Sequence, residues 1–398
     1  MVTKTFIYYR NHYNFMIVLP KQATFVPAVS TAETRWKEKD FIFKGKDSKF
    51  FTPESVFQYP YLLTTVPYEI DKQTPDFREA YGYPKEYCLI ADSGGFQIAK
   101  AQLGGQDIGI TPLQILRWME NNADIGMNLD SPPWTNFDKS LKTSQENFTV
   151  FQNNRENYDF KLYNVLHGKT LPEMIKWYSG VKDYEFDGWA FGARPADNIY
   201  LQIIGYMFLR ENNAAHWETN FHLFGVSGIK NMLVLAMLSH EFGGSMTFDS
   251  SSYITGMRYR RFYFPKDIRY GIEFGRDAKK TMQSIPCRCP VCRRLEIDDL
   301  YSQESPGAYV SLLLHDLYQY IEVNRMINNM VSDDIVFMEY AKSVGEEKTV
   351  RIARIIIDQI QKKGVSHVYD NFRHSMVLRD MSNPGNNMMS FIPSGEIV

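Results

Sequence analysis

Six short apolar runs recur along this chain, separated by stretches with helical periodicity, and that alternation leaves few architectures open. The runs are YCLIAD ending at Asp92, ADIGMNLD ending at Asp130, KLYNVLHG around His167, GWAFG ending at Gly192, NFHLFGV before Ser227, and SMTFD ending at Asp249. Between them, TPLQILRWMENN offers Thr111 as an N-cap and Pro112 at the first helical position, and GIKNMLVLAMLSHEF carries apolar residues at helical spacing before Gly243-Gly244. Strand followed by helix, many times over, implies parallel strands joined by right-handed crossovers. So many units favour a closed (β/α)8 barrel of TIM type over an open doubly wound sheet, and no GxGxxG follows the first strand to suggest a dinucleotide site. At 398 residues the chain is long enough for one such barrel with additions.

Asp92, Asp130, His167, Gly192 and Asp249 stand at or just beyond the C-terminal ends of the expected strands. That rim is where barrel enzymes collect their reacting groups. An Asp or Gly after a strand also serves as a cap or turn residue. Three aspartates in an otherwise apolar strand context point instead to a shared polar pocket.

Farther along, Cys287, Cys289 and Cys292 fall in the run Cys-Arg-Cys-Pro-Val-Cys, and His315 follows in the apolar stretch LLLHDLYQY. Three thiolates and an imidazole complete the closed tetrahedral shell of a structural zinc. A disulfide between cysteines two apart would be strained and would leave a thiol over. A knuckle this short has no core of its own, so the metal supplies its cohesion and the following helix its last ligand. Cys88, flanked by apolar residues, reads as a core thiol. Cysteines clustered for metal suit a reducing compartment.

Lys and Arg number 44 against 46 Asp and Glu, a formal net charge of -2, so a polyanion would have to be met by a local patch. Residues 256–294 supply a candidate: Arg258, Arg260 and Arg261 lead a cation-rich segment interleaved with Tyr259, Phe262, Tyr263, Phe264 and Tyr270. Positive charge for phosphates and flat rings for displaced bases suit a nucleic-acid strand; a solvated surface with aromatics packed beneath it is the plain alternative. The opening MVTKTFIYYRNHYNF lacks the apolar run of a signal peptide, and nowhere do about eighteen apolar residues follow one another, so a cytoplasmic protein with no membrane partner is expected. The expected division is a barrel over 1–275, a zinc-binding subdomain over 276–330 and a C-terminal helical extension with its tail over 331–398. Within the last, EEKTVRIARIIIDQIQKKG reads as an amphipathic helix with acids leading and lysines trailing, and MSNPGNNMMSFIPSGEIV as an irregular tail.

The run Ala91-Asp92-Ser93-Gly94-Gly95-Phe96-Gln97 resembles the DSGG-aromatic-Gln signature of the tRNA-guanine transglycosylase family. Asp130, Gly192-Ala193, Phe224-Gly225-Val226-Ser227, Phe248-Asp249 and the CxCxxC with its helical His follow in the family's order, over roughly residues 85 to 325. The resemblance implies exchange of a guanine in a polynucleotide for a 7-deazaguanine base without backbone cleavage. Asp249 would be the nucleophile at C1′ and Asp92 the general acid and base. Asp130 would accept from the purine N1–H and exocyclic amine, with Ser93, Gly192 and Ala193 completing the edge contacts. Phe96 and Phe224, beside Gly225, would sandwich the base. A structural zinc and a possible homodimer are implied as well.

Several positions depart from the family pattern. Asp249-Ser-Ser-Ser-Tyr-Ile-Thr-Gly-Met-Arg258 stands where bacterial tRNA enzymes carry Pro-Thr-Arg-x-Gly-Arg, and His167 replaces Gln in a Val-Gln-Gly run. Ala193-Arg194 replaces Gly-Leu, and the chain runs about eighty residues past His315. These changes resemble the DpdA-type DNA-guanine transglycosylases of phages and bacterial modification islands, which implies DNA as the polymer in preference to tRNA, and protection from restriction. A divergent tRNA enzyme stays open. So does a non-catalytic zinc-bearing subunit, which should lack the acid or the nucleophile; Asp92 and Asp249 are both present.

Overall fold

The computed structural model describes residues 19–29, 42–192, 198–215, 219–274, 284–301 and 306–372. Eight strands form one parallel sheet: β1 (Ala23–Pro27), β2 (Tyr61–Thr65), β3 (Cys88–Asp92), β4 (Ile125–Met127), β5 (Lys161–Leu166), β6 (Gly188–Phe191), β7 (Asn220–Leu223) and β8 (Met246–Ser250). From β2 to β8 each pairs with the next in sequence, and β1 pairs with β8. The remaining seam, between β1 and β2, is joined by one parallel bridge, Ala28 to Leu63, with the Val29 N–H donating to the Leu63 carbonyl at 3.0 Å. The result is a nearly closed TIM-type barrel, as the strand-helix alternation requires.

The six apolar runs supply β3 to β8. The second of them is only three residues of ladder, because pairing stops at Met127 and Asn128–Asp130 leave the strand as a loop. Thr111 caps its helix reciprocally with Gln114, Pro112 holds the first helical position, and Gly243 ends the helix Ile229–Phe242 in the left-handed conformation. Strands β1 and β2 have no counterpart among the six runs. The first is ATFVP, broken by its own proline, and the second, YLLTT, passes directly into the helix Val66–Asp71.

Side chains alternate across each strand, so two apolar layers form. Outward residues make the large core beneath the helices. Inward residues make a compact plug of Val26, Leu63, Cys88, Ile90, Ile125, Met127, Tyr163, Val165 and Ala190. Following the same phase one step toward the C-terminal ends leads to Thr65, Asp92, His167, Gly192, Phe224 and Asp249. The plug is thus the floor of a pocket whose wall is polar.

Two helices packed on the barrel tie its last strand to its first. The seven residues after β8, Ser252–Arg258, form α1, and the 25-residue helix Pro306–Met330, here α2, crosses it and reaches β1. Asn324 and Asn328 of α2 both donate through Nδ2 to the Ala23 carbonyl, at 3.1 and 2.7 Å. The antiparallel hairpin Arg261–Phe264 and Asp267–Glu273 lies against α2 as well. Beyond it, the expected amphipathic helix forms over Glu347–Lys363, burying Val350, Ala353, Ile356, Ile357 and Ile360 against the barrel helices Ile199–Glu211 and Ile229–Phe242. No described helix is long and apolar enough to cross a membrane. The expected irregular tail lies outside the described residues.

The contact between α1 and α2 is tight at Gly256, where a Cβ would come within 2.6 Å of Asp316 Oδ2 and 3.0 Å of the Tyr263 ring. Asp316 is fully buried and its other oxygen is held by the Tyr263 N–H at 3.0 Å, so it has little room to yield. Helix propensity alone would make Gly256→Ala stabilising by about 1 kcal/mol. The steric argument predicts the opposite sign, a loss of about 2 kcal/mol in chemical denaturation.

Candidate active site and metal centre

The segment Asp92-Ser93-Gly94-Gly95 turns β3 into the helix Gly95–Leu103 by a route that demands both glycines. Gly94 has φ +80°, and its N–H folds back to Asp92 Oδ1 at 3.1 Å. A Cβ on Gly95 would lie 2.3 Å from the Asp130 carbonyl oxygen, so only glycine lets the β3 turn close on the loop after β4. That approach brings Asp92 and Asp130 into one cavity. Asp249 faces it from β8, and both neighbouring carboxylates contribute to raising the pKa of Asp92.

Asp92 keeps part of its surface open to the cavity although its carboxylate sits deep. Its pKa is pushed up to about 7, first by burial and then by the charges of Asp130 and Asp249, with the Gly94 N–H and the Thr65 hydroxyl (3.2 Å to Oδ2) opposing. Near neutrality it therefore exists in both protonation states. Asp130 is held differently, with Oδ2 2.6 Å from His167 Nε2. The His167 ring is buried, meets the edge of Trp177 at 4.6 Å, and occupies the space that a side chain at Gly192 would need. Asp249 has two donors on one oxygen: the Gly225 N–H at 2.8 Å and His222 Nε2 at 3.2 Å both reach Oδ1. Gly225 has φ +66°, which aims that N–H. None of the described hydrogen bonds engages Oδ2.

Two phenylalanines follow the strand ends of β3 and β7. Phe96 is 45% exposed and meets Trp134 edge-on at 4.8 Å, while Phe224 is partly buried against the His222 ring. Ser93, expected to touch a substrate edge, is wholly buried, and its hydroxyl donates to the Asn128 carbonyl at 3.3 Å, tying β3 to the β4 loop. Ala193 lies outside the described residues. Among the three arginines expected to track phosphates, Arg260 is only 8% exposed and donates through Nη2 to the Leu300 carbonyl at 2.9 Å, a structural role imposed by its place at the root of the hairpin. Arg261 pairs with Glu273 across the hairpin at 2.6 Å. Arg258, at the end of α1, is exposed. So are Tyr259 (65%) and Tyr270 (60%), the latter with the Arg269 guanidinium 5.0 Å from its ring centre.

The sequence pattern did not single out His222, Thr247, Thr65 or Trp134. The signal for the first three was parity: each lies two residues before, or directly across the sheet from, a residue already on the rim.

The four candidate metal ligands do converge. Cys287, Cys289, Cys292 and His315 are buried, with ligand atoms all within 4.8 Å of one another. His315 Nδ1 lies 3.5 Å from Cys289 Sγ and 3.2 Å from Cys292 Sγ, against an edge of about 3.6 Å between nitrogen and sulfur in a zinc tetrahedron. His315 Nε2 faces the Tyr263 carbonyl at 2.8 Å, which places hydrogen on that nitrogen and leaves Nδ1 free to ligate. The Cys289 and Cys292 N–H groups and the Gln319 amide point at the sulfurs, as they would toward thiolates. This donor set fits a metal ion.

No family model matches the chain. It is 25% identical over 313 residues to the tRNA-guanine(15) transglycosylase of Saccharolobus solfataricus, covering 74% of this chain and 55% of that protein. The enzymes of the same name from Methanococcus aeolicus and Methanocaldococcus jannaschii are each 26% identical, over 67% and 69% of this chain and 40% and 42% of their own lengths. These similarities support the tRNA-guanine transglycosylase superfamily. The chain spans about half the length of the curated relatives it matches.

Two measurements test the site. Because the Asp92 pKa is raised in the fold, the folded state holds a proton that the unfolded chain has lost between about pH 4 and pH 7, and stability falls as pH rises through that window. Asp92→Asn should therefore gain about 4 kcal/mol over the parent at pH 8 relative to the same comparison at pH 4, read from paired denaturation curves. Cys289→Ser should lose bound metal by elemental analysis and lower the melting temperature, as should a strong chelator on the parent.

Proposed function

We propose that this protein is a guanine transglycosylase, a pentosyltransferase that replaces guanine in a polynucleotide with a free 7-deazaguanine base through a covalent aspartyl–nucleoside ester. The observation that carries the reading is the closeness of two unlike carboxylates at the barrel mouth: Asp92, poised near neutrality and raised in part by the charge of Asp249, and Asp249, with one oxygen held by two donors. Environments that push two carboxyls apart divide the acid role from the nucleophile role.

On this reading the target nucleoside is swung out of its stack and its base enters between Phe96 and Phe224. Asp249 Oδ2 attacks C1′ as the C1′–N9 bond breaks, and the electron pair leaves on guanine, which takes a proton from Asp92. The incoming base gives its N9 proton to Asp92 and attacks C1′, releasing the carboxylate; two inversions restore the original anomer. Asp130, oriented by His167, accepts from the purine edge. Water must be kept from the ester, or the outcome is depurination. Cys287, Cys289, Cys292 and His315 would hold a structural zinc that would tie the cysteine knuckle to α2 and take no part in these steps.

DNA is the preferred polymer. The residues after Asp249, Ser250 to Met257, contain no cation, and they form the start of α1 rather than an arginine-bearing reading loop. Protection of DNA from restriction, in a bacterial or phage-infected cytoplasm, is the role this implies. The second reading, tRNA, is favoured by the names of the archaeal relatives. A homodimer is compatible with either.

The decisive experiment offers labelled guanine or a labelled 7-deazaguanine with DNA and, separately, with tRNA. Label should enter DNA, with a covalent protein–polymer adduct trapped during turnover. Asp249→Asn should fold normally, form no adduct and lose activity by at least about 10⁴-fold. Label entering tRNA alone would establish the second reading, and an adduct on Asp249→Asn would remove that residue from the chemistry.

A further inference from the structure

His222 is a strand residue with no motif around it, yet it is completely buried inside the barrel and both of its ring nitrogens are engaged. It lies directly across the ladder from Thr247, with Nδ1 2.9 Å from Thr247 Oγ1 and Nε2 3.2 Å from Asp249 Oδ1. Asp249 Oδ1 already accepts from the Gly225 N–H, so Nε2 carries the hydrogen toward it, and Thr247 Oγ1, whose own hydroxyl donates to the Phe221 carbonyl at 3.0 Å, lies against Nδ1 on the other side of the ring. Phe224 packs edge-on against the ring at 4.8 Å, which further limits its rotation. A buried imidazole is a costly way to fill a barrel interior whose neighbouring inward residues are Val165 and Ala190. Its cost is offset here only by the hydrogen bonds it makes.

We infer that His222, itself oriented by Thr247, is the positioning residue of the nucleophile: with the Gly225 N–H it grips Asp249 Oδ1 and so presents Oδ2 to C1′. This rests on the transglycosylase reading above. The same two donors act at both ends of the cycle. When Oδ2 bonds to C1′, Oδ1 becomes the ester carbonyl oxygen and keeps both hydrogen bonds. When the incoming base displaces the carboxylate, negative charge returns to the carboxyl group, and the donors already stand on one of its oxygens to receive it without rearrangement. His222 touches no substrate atom; it acts through Asp249.

The test uses the full chain and four variants. His222→Phe keeps a flat ring and removes both nitrogens, and His222→Gln restores an N–H within reach of Asp249. Removing a donor of this kind should lower kcat about 100-fold while leaving KM for the polymer within about twofold. The glutamine should recover activity to within about tenfold of the parent, and Thr247→Val should lose about tenfold or less. Single-turnover adduct formation should slow by the same factor as kcat. Separately, proton NMR should show an imidazole N–H of His222 shielded from solvent exchange and displaced in Asp249→Ala. A phenylalanine variant within threefold of the parent in kcat, or one that glutamine does not improve, overturns the positioning role. Lack of a protected imidazole N–H overturns the hydrogen bond itself, whatever the reaction. Parent protein that exchanges no base on DNA or tRNA overturns the transglycosylase reading, and His222's part in it falls as well, even with the N–H signal present.

Discussion

Carboxylates gathered at one mouth repel one another, and the barrel holds Asp92, Asp130 and Asp249 together only by giving each its own donors from a different strand end. Asp92 receives the weakest set, a turn N–H and a threonine hydroxyl, and burial with its neighbours' charges drives it up to about 7. Asp130 receives an imidazole, and Asp249 an imidazole and a backbone N–H on one oxygen. The inequality is the useful part. Three equally solvated carboxylates would share one behaviour, whereas on the transglycosylase reading these three would serve as a proton donor, a fixed acceptor and an oriented nucleophile.

Such an arrangement has to be rigid, and the candidate metal site is linked to it by packing from a distance. His315 Nε2 fastens the hairpin through the Tyr263 carbonyl, and the adjacent Asp316 accepts the Tyr263 N–H while filling the space above Gly256. Gly256 belongs to the helix that leaves β8 just after Asp249. The far end of α2 holds β1 through Asn324 and Asn328, and β1 is the ladder partner of β8, with Val26 opposite Asp249. The four candidate ligands thus sit at one end of a packed path to the strand that carries Asp249. A Cys3His shell is closed and has no position for a substrate, which suits a role in shape alone.

Much of this was legible in the sequence wherever spacing encodes geometry. The CxCxxC run, the strand-helix alternation, the Thr111 cap and the Asp-Ser-Gly-Gly turn each carry their structure in local order. What escaped was whatever depends on which face a residue presents. Arg260 stands in a cationic cluster but turns inward to Leu300, and Ser93 stands in the signature but bonds the Asn128 carbonyl. β1 and β2 are short, rich in threonine and bounded by prolines, and only ladder pairing with β8 and β3 identifies them as strands. His222 has no neighbours of its own kind; its meaning comes from Thr247 and Asp249 across the sheet.

The exchange of glutamine for His167 then acquires a physical sense. An amide at that place could donate and accept, and could turn with the ligand. The imidazole here has its Nε2 committed to Asp130, Trp177 against its edge, and the missing side chain of Gly192 as the only reason it fits. It cannot swing aside without displacing buried groups. One oxygen of Asp130 is therefore committed to orientation, and a purine edge arriving with two adjacent donors meets an acceptor already turned toward it, with no side chain left to order on binding. On the transglycosylase reading, selectivity for a guanine-like edge is built into the free pocket, and a base lacking that pair of donors would leave a desolvated carboxylate without its partners.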